Sequence, residues 1–112
     1  MLKRHQVLLS DWQEDYIKFL SKTYDVSTSE AIRVQLCVAI LAVVPLLFPE
    51  YKSNFKIEDI LKATKKWAKG EMENDDQHRT LSKIYFEARK AVEFRLSKEN
   101  KQKRSNTSFA YD

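Results

Sequence analysis

The stretch DVSTSEAIR, residues 25–33, decides the fold because it marks the start of the most apolar helix in the chain. Ser27 and Glu30 are three residues apart, which is the capping-box pattern of a helix N-terminus. VQLCVAILAVVP, residues 34–45, comes next. Its apolar residues first recur at helical spacing and then occupy every side. The pattern predicts a helix from residue 28 to residue 43 or 44, ending before a proline that disfavours helical geometry at the preceding residue.

The apolar run of this helix predicts a buried core helix. Residues 34–49 are uncharged, but a membrane span needs about twenty apolar residues, and two prolines interrupt this segment. We therefore expect no membrane partner and a cytoplasmic protein. Cys37, the single cysteine, lies in this run and is typical of a small buried side chain in a reducing compartment. A helix that is apolar on every side is expected to be buried on every side. We expect a second copy of the chain and the C-terminal segment to cover it.

A shorter helix precedes this one. Ser10 and Gln13 form a second capping pattern, and Asp11 favours the positive end of a helix. We expect this helix to run from Asp11 to Tyr24. Its apolar positions form a wide and mostly aromatic surface, made of Trp12, Tyr16, Ile17, Phe19, Leu20 and Tyr24.

The N-terminal segment alternates in the manner of a short β-strand. His5, Val7 and Leu9 would face one way, and Arg4, Gln6 and Leu8 the other. No other segment alternates convincingly, so a strand here would have to pair with the strand of a second copy.

The second half of the chain is predicted to be helical. Two prolines and the SN pair place a linker at residues 45–54, and helical spacing resumes over a helical extension at residues 55–98. Gly70, the only glycine, is a natural break inside this extension. Residues 99–112 lack periodicity and are typical of a polar, basic tail.

Charge and motif content narrow the possible functions. The net charge of +4 arises wholly in residues 81–112, which carry eight basic and four acidic residues. A basic surplus suits a nucleic-acid partner. His5 and His78 are far apart in sequence and show no metal-ligand motif, so no metal and no other cofactor is expected. No phosphate-binding glycine loop, nucleophile elbow or catalytic dyad is visible, so we expect no catalytic residues and no enzyme.

The order of strand, capped helix, short turn and capped helix over residues 3–42 resembles the ribbon-helix-helix family of DNA-binding proteins (Arc/MetJ/CopG type). KRHQVLLS and VSTSEAIR carry the resemblance, with Asp25 in the place of the family's usual glycine. It implies a mainly α fold. Residues 1–44 would be a ribbon-helix-helix unit with one short β-strand paired across a dimer, followed by the C-terminal helical extension.

The resemblance also implies a function, that of a sequence-specific transcriptional repressor that binds double-stranded DNA as a homodimer or as a tetramer made of two dimers. A two-stranded ribbon would enter the major groove, where Arg and Gln can read base edges. The base contacts would be Arg4, Gln6 and Leu8. The phosphate contacts would be Lys3, Ser27, Thr28 and Ser29. The dimer core would contain Val7, Leu9, Ile17, Leu20, Ile32 and Leu36.

Other interpretations of the same residues remain open. The chain could be an all-helical interaction or scaffold protein that never contacts DNA. It could be an antitoxin whose C-terminal helices, residues 55–98, bind a partner protein. A third alternative is nonspecific nucleic-acid binding by the basic C-terminal region. Pairing of residues 4–9 with the same residues of a second copy distinguishes the ribbon-helix-helix DNA-binding protein from the all-helical interaction protein.

Overall fold

The computed structural model describes residues 2–105, with side chains described for residues 2–100. Four helices make up about three quarters of this part of the chain: α1 (Asp11–Tyr24), α2 (Thr28–Leu47), α3 (Ile57–Ala68) and α4 (Asn74–Ser105). The expectation of a mainly α fold is confirmed.

The prediction of a ribbon-helix-helix unit with a β-strand at the N-terminus is wrong. Residues 2–10 form neither helix nor strand, and residues 2–105 contain no strand at all. The backbone groups of a strand need a neighbouring strand to bond, and no other segment of the described chain supplies one. Val7 and Leu9, expected on a buried face together with His5, are 65% and 38% exposed.

Local sequence signals set the bounds of α1 as predicted. The Ser10 N–H donates to Gln13 Oε1 at 3.0 Å, which is the backbone half of the capping box. At the other end, Asp25 adopts left-handed geometry with φ 54°. The Val26 N–H then donates to the Ser21 carbonyl at 3.0 Å, in the arrangement of a Schellman motif. The chain thus reverses into α2 through a three-residue turn.

α2 extends further than predicted. It continues through Pro45 and ends at Leu47, so the linker begins at Phe48 rather than at residue 45. Proline removes one backbone donor, and here the loss falls in the last turn, where little helix remains to be disrupted. The Phe48 N–H still donates to the Val44 carbonyl at 2.8 Å and completes the turn.

Three successive clusters of buried side chains form the core, and each joins α2 to α4. The first contains Leu20, Tyr24, Ala31, Val34, Trp67 and Leu81. The second contains Leu41, Phe55, Ile60, Ile84 and Ala88. The third contains Val44, Tyr51 and Ala91. Both α2 and α4 pass from the first cluster to the third, so they run in the same direction, whereas α3 runs in the opposite one. The expected cover of α2 by the C-terminal segment is confirmed.

The two C-terminal helices begin close to their predicted positions. α3 ends in a second Schellman motif, in which Gly70 has a φ of 69° and the Glu71 N–H donates to the Lys66 carbonyl at 2.9 Å. α4 continues to Ser105, so the predicted tail begins at least seven residues later than expected. The predicted tail residues 106–112 lie outside the described part of the chain.

The third cluster borders two buried polar atoms without a hydrogen-bond partner, Tyr51 Oη and Glu87 Oε1. The nearest cation is the Lys90 ammonium, 3.7 Å from Glu87 Oε2. Burial, and then the charge of Glu87, raise the pKa of the Tyr51 phenol.

Candidate nucleic-acid interface

The predicted base-contacting residues all lie on an exposed N-terminal segment, residues 2–10. Arg4 and Gln6 make no hydrogen bond or ion pair with any other residue from 2 to 100. Leu8 is 98% exposed. The segment leads directly into the capped start of α1, so its position relative to α1 is fixed at Ser10.

Three of the four predicted phosphate-contacting residues lie at the exposed start of α2, and the fourth, Lys3, lies on the exposed N-terminal segment. Ser27 Oγ accepts the Glu30 N–H at 3.1 Å, and the Ser27 carbonyl accepts the Ala31 N–H at 2.9 Å. The N–H groups of Thr28 and Ser29 have no partner elsewhere in residues 2–105. They point out of the positive end of a helix, where an anion is stabilised by the dipole and the donors together.

The second half of the predicted capping box does not form. The Glu30 carboxylate accepts the Tyr85 hydroxyl of α4 at 3.2 Å instead of returning to Ser27. Burial, and then the charge of Glu30, raise the pKa of the Tyr85 phenol, so Tyr85 remains a donor at neutral pH. This contact draws an acidic side chain towards α4 and away from the Ser27 N–H, which a complete capping box would pair with it.

The structure divides the six predicted dimer-core residues into two groups. Leu20 is 3% exposed and Ile17 packs against the same cluster, so both contribute to the core of their own chain. The other four are accessible to a second copy, with exposed fractions of 65% for Val7, 38% for Leu9, 39% for Ile32 and 62% for Leu36.

An exposed apolar stripe runs along the whole of α2. We define the α2 stripe by its residues, which share one side of the helix at spacings of three or four: Ile32, Leu36, Ala39, Val43, Leu46 and Leu47. Its large members are between 39% and 77% exposed. A contiguous apolar surface of this length marks an interaction site. α1 adds an exposed aromatic surface made of Trp12, Tyr16 and Phe19.

α2 is also the helix of the described chain that is long and apolar enough, by length and composition, to cross a membrane. Here it contacts α1, α3 and α4. Within residues 2–100, no group of three or more metal-ligating side chains is close enough to hold an ion.

Sequence reasoning missed a row of lysines on α3. Residues 35–80 carry seven basic and seven acidic residues, and that balance concealed how the charges are distributed around the helix. A helical projection of residues 57–69 would have revealed it, because Lys62, Lys65, Lys66 and Lys69 share one side.

The chain was compared with models of protein families, with characterised proteins and with solved structures, and none of these comparisons gives a match.

Proposed function

We propose that this chain binds double-stranded DNA as a homodimer and represses transcription by occupying its binding sequence. One observation carries the proposal. An exposed segment with Lys3, Arg4 and Gln6 precedes a tightly turned helix pair whose second helix presents unpaired N–H groups at Thr28 and Ser29. The N-terminal segment can contact DNA bases, and the start of α2 can contact the DNA phosphate backbone. Specific DNA recognition requires both kinds of contact.

The N-terminal segment supplies the chemistry for reading bases. Arg4 can donate two hydrogen bonds to guanine O6 and N7, and Gln6 can pair with adenine N6 and N7. Leu8 can contact a thymine methyl group. Because Arg4 and Gln6 make no hydrogen bond or ion pair with residues 2–100, binding to DNA would break none.

The start of α2 supplies the contact that sets the register on the duplex. A phosphate oxygen placed before Thr28 and Ser29 would accept their N–H groups, with the Ser27 and Ser29 hydroxyls beside it. Lys3 would add a second phosphate contact from the N-terminal segment. Such contacts carry no sequence information but orient the residues that do.

The α2 stripe supports the dimer. The large residues of the stripe are between 39% and 77% exposed. One helix face can pair with its own copy about a two-fold axis, which is the commonest symmetry of soluble oligomers. A two-fold dimer presents two equivalent N-terminal segments, so we expect a palindromic binding sequence.

Selection of bound duplexes from a random DNA library tests this proposal. We expect the native chain to enrich a short, roughly palindromic motif, and the Arg4→Ala/Gln6→Ala variant to lose it. Arg89→Ala/Asn100→Ala removes an arginine and a side-chain amide from exposed positions on α4 and should retain the motif. Failure of the native chain to enrich any motif at moderate salt would refute specific DNA binding.

A second candidate function is binding of another protein through the α2 stripe. Two observations favour it: residues 2–10 form no strand, and the stripe is exposed along its length. Sedimentation at micromolar concentration separates the two candidates. A dimer is expected for the DNA-binding protein, whereas a stable monomer would assign the stripe to a different partner.

A further inference from the structure

Four lysines form a continuous row on the outer side of α3. At 100° per residue, Lys62, Lys65, Lys66 and Lys69 fall within a sector of about 100°. We call this the α3 lysine row. The opposite side of the helix carries the buried residues Ile60 and Trp67, which are 2% and 4% exposed. Burial of that side directs the lysines into solvent.

The positive charge of the row is not neutralised by close contact. None of its four ammonium groups lies within 4.0 Å of a carboxylate oxygen in residues 2–100, although other lysines and arginines of the chain are paired in this way. The acidic residues of α3, Glu58 and Asp59, occupy its first turn. Glu71 and Glu73 follow the helix, beyond the left-handed turn at Gly70.

The helix that carries the row packs beside the start of α2 through its other, buried side. Trp67 packs edge-to-face on Tyr24, the last residue of α1, with their ring centroids 5.0 Å apart. Both rings belong to the core cluster that contains Ala31, in the first turn of α2. The C-terminal half of α3 therefore flanks the turn that precedes Thr28. From Lys62 to Lys69 the helix rises about 10 Å, which matches about three phosphates along the axis of one DNA strand.

We infer that the α3 lysine row is a second phosphate-binding surface, which follows the DNA backbone next to the phosphate held at the start of α2. This inference rests on the proposed function. Lysine ammonium groups are mobile point charges suited to phosphates without regard to sequence. A membrane surface is the less suitable anionic partner, because a helix that lies on lipid inserts its apolar side and that side of α3 is buried in the core.

The test is the salt dependence of DNA binding by the full-length chain. The dissociation constant for the selected duplex is measured over a range of salt concentrations for the native chain and for Lys62→Gln/Lys65→Gln/Lys66→Gln/Lys69→Gln. Each phosphate contact contributes about 0.9 to the slope of log affinity against log salt. We expect the variant to reduce the slope by about 2 or more, to bind at least tenfold more weakly at low salt, and to keep the sequence motif.

Two further variants make the result specific to the row. Replacing the same four lysines by arginine keeps the charge and should retain the native slope. Lys52→Gln/Lys83→Gln/Arg89→Gln/Arg95→Gln removes four charges from other exposed positions and should leave the slope close to native. Circular dichroism verifies that each variant is helical, as expected for exposed substitutions that keep helix propensity.

The outcomes separate the two proposals. If the native chain binds no duplex, the proposed function fails and this inference fails with it. If the native chain binds its motif but the glutamine variant keeps the native slope, only the inference is overturned. An equal loss in the control variant would also overturn it, because net charge would then be responsible. Row-dependent sedimentation with phosphatidylserine vesicles, with an unchanged DNA slope, would reassign the row to a membrane surface.

Discussion

At the scale of single residues, Asp25 determines how α1 turns into α2. Its φ of 54° and ψ of 52° lie in the left-handed region, which costs most L-residues roughly 1–2 kcal/mol. Aspartate tolerates this region better than most side chains, and glycine adopts it without steric cost. The sequence predicted this geometry, because Asp25 occupies the place of a glycine in the family that the segment resembles.

We expect Asp25→Gly to raise the free energy of unfolding by about 1 kcal/mol. The greater conformational entropy of glycine in the unfolded state reduces this gain. The melting temperature should rise by about 4 °C. Asp25→Val, a β-branched residue in the same conformation, should lower it. Thermal and urea unfolding of the three proteins measures the effect. A decrease for the glycine variant would show that the left-handed turn is not a source of strain.

The buried phenol of Tyr51 should make stability depend on alkaline pH. Its pKa is raised in the folded state by burial and then by the charge of Glu87. The folded chain therefore holds this proton more tightly than the unfolded chain. The resulting stabilisation is present below the ordinary tyrosine pKa of about 10 and is lost as the pH rises through the folded value.

Between about pH 8 and pH 11, we expect the free energy of unfolding of Tyr51→Phe to fall less than that of the native chain. At neutral pH the two proteins should be of similar stability, because Tyr51 Oη makes no hydrogen bond of good geometry with residues 2–100. Urea unfolding across this range is the measurement, with Tyr16→Phe as an exposed control. If the free energy of unfolding depended on pH identically in the two variants, Tyr51 would not be the source of the alkaline loss of stability.

At the scale of secondary-structure elements, the start of α2 has two separable roles. The Ser27 hydroxyl satisfies the Glu30 N–H, and the N–H groups of Thr28 and Ser29 remain unpaired. The first role stabilises the helix, and the second is the one we assign to phosphate. Substitutions at the two serines distinguish these roles.

We expect Ser27→Ala to lower the free energy of unfolding by about 1 kcal/mol, the usual cost of losing an N-cap. Ser29→Ala, on the same exposed turn and without a side-chain hydrogen bond to any described residue, should change it by less than about 0.5 kcal/mol. Chemical denaturation measures both. Equal losses would mean that the 3.1 Å contact of Ser27 contributes nothing to the helix.

At the scale of the whole molecule, the α2 stripe is the surface that the core leaves uncovered. The other side of α2 packs on α1, α3 and α4 in three clusters, so residues 2–105 supply no further helix to place on the stripe. Exposed apolar surface of this kind stabilises an association of chains when it is buried.

We expect Leu36→Glu to leave the folded monomer intact, because Leu36 is 62% exposed, and to prevent formation of the proposed dimer. Two glutamates facing each other across a two-fold axis would lose their hydration and repel each other. Leu61→Glu is a matched control, since Leu61 is 61% exposed on α3, outside the stripe. Sedimentation at micromolar concentration measures the oligomeric state of both variants. A dimer that persists in Leu36→Glu would place the interface elsewhere.

The sequence by itself determined the features that depend on neighbours a few residues away. These are the bounds of α1, the helical stretch of α3 up to the break at Gly70, the left-handed turn at Asp25 and the capped start of α2. Caps, helical periodicity and glycine act within one or two turns of helix, so the chain specifies them locally.

The tertiary structure alone decided the features that need contacts between distant segments. A strand at residues 4–9 requires a neighbour that the described chain does not provide. Glu30 is drawn to Tyr85, 55 residues away, instead of completing its local capping box. Leu20 enters the core of its own chain because Trp67 and Leu81 pack against the same cluster. The side of α3 that reaches solvent, and with it the α3 lysine row, follows from the burial of Ile60 and Trp67, which only the packing of the four helices determines.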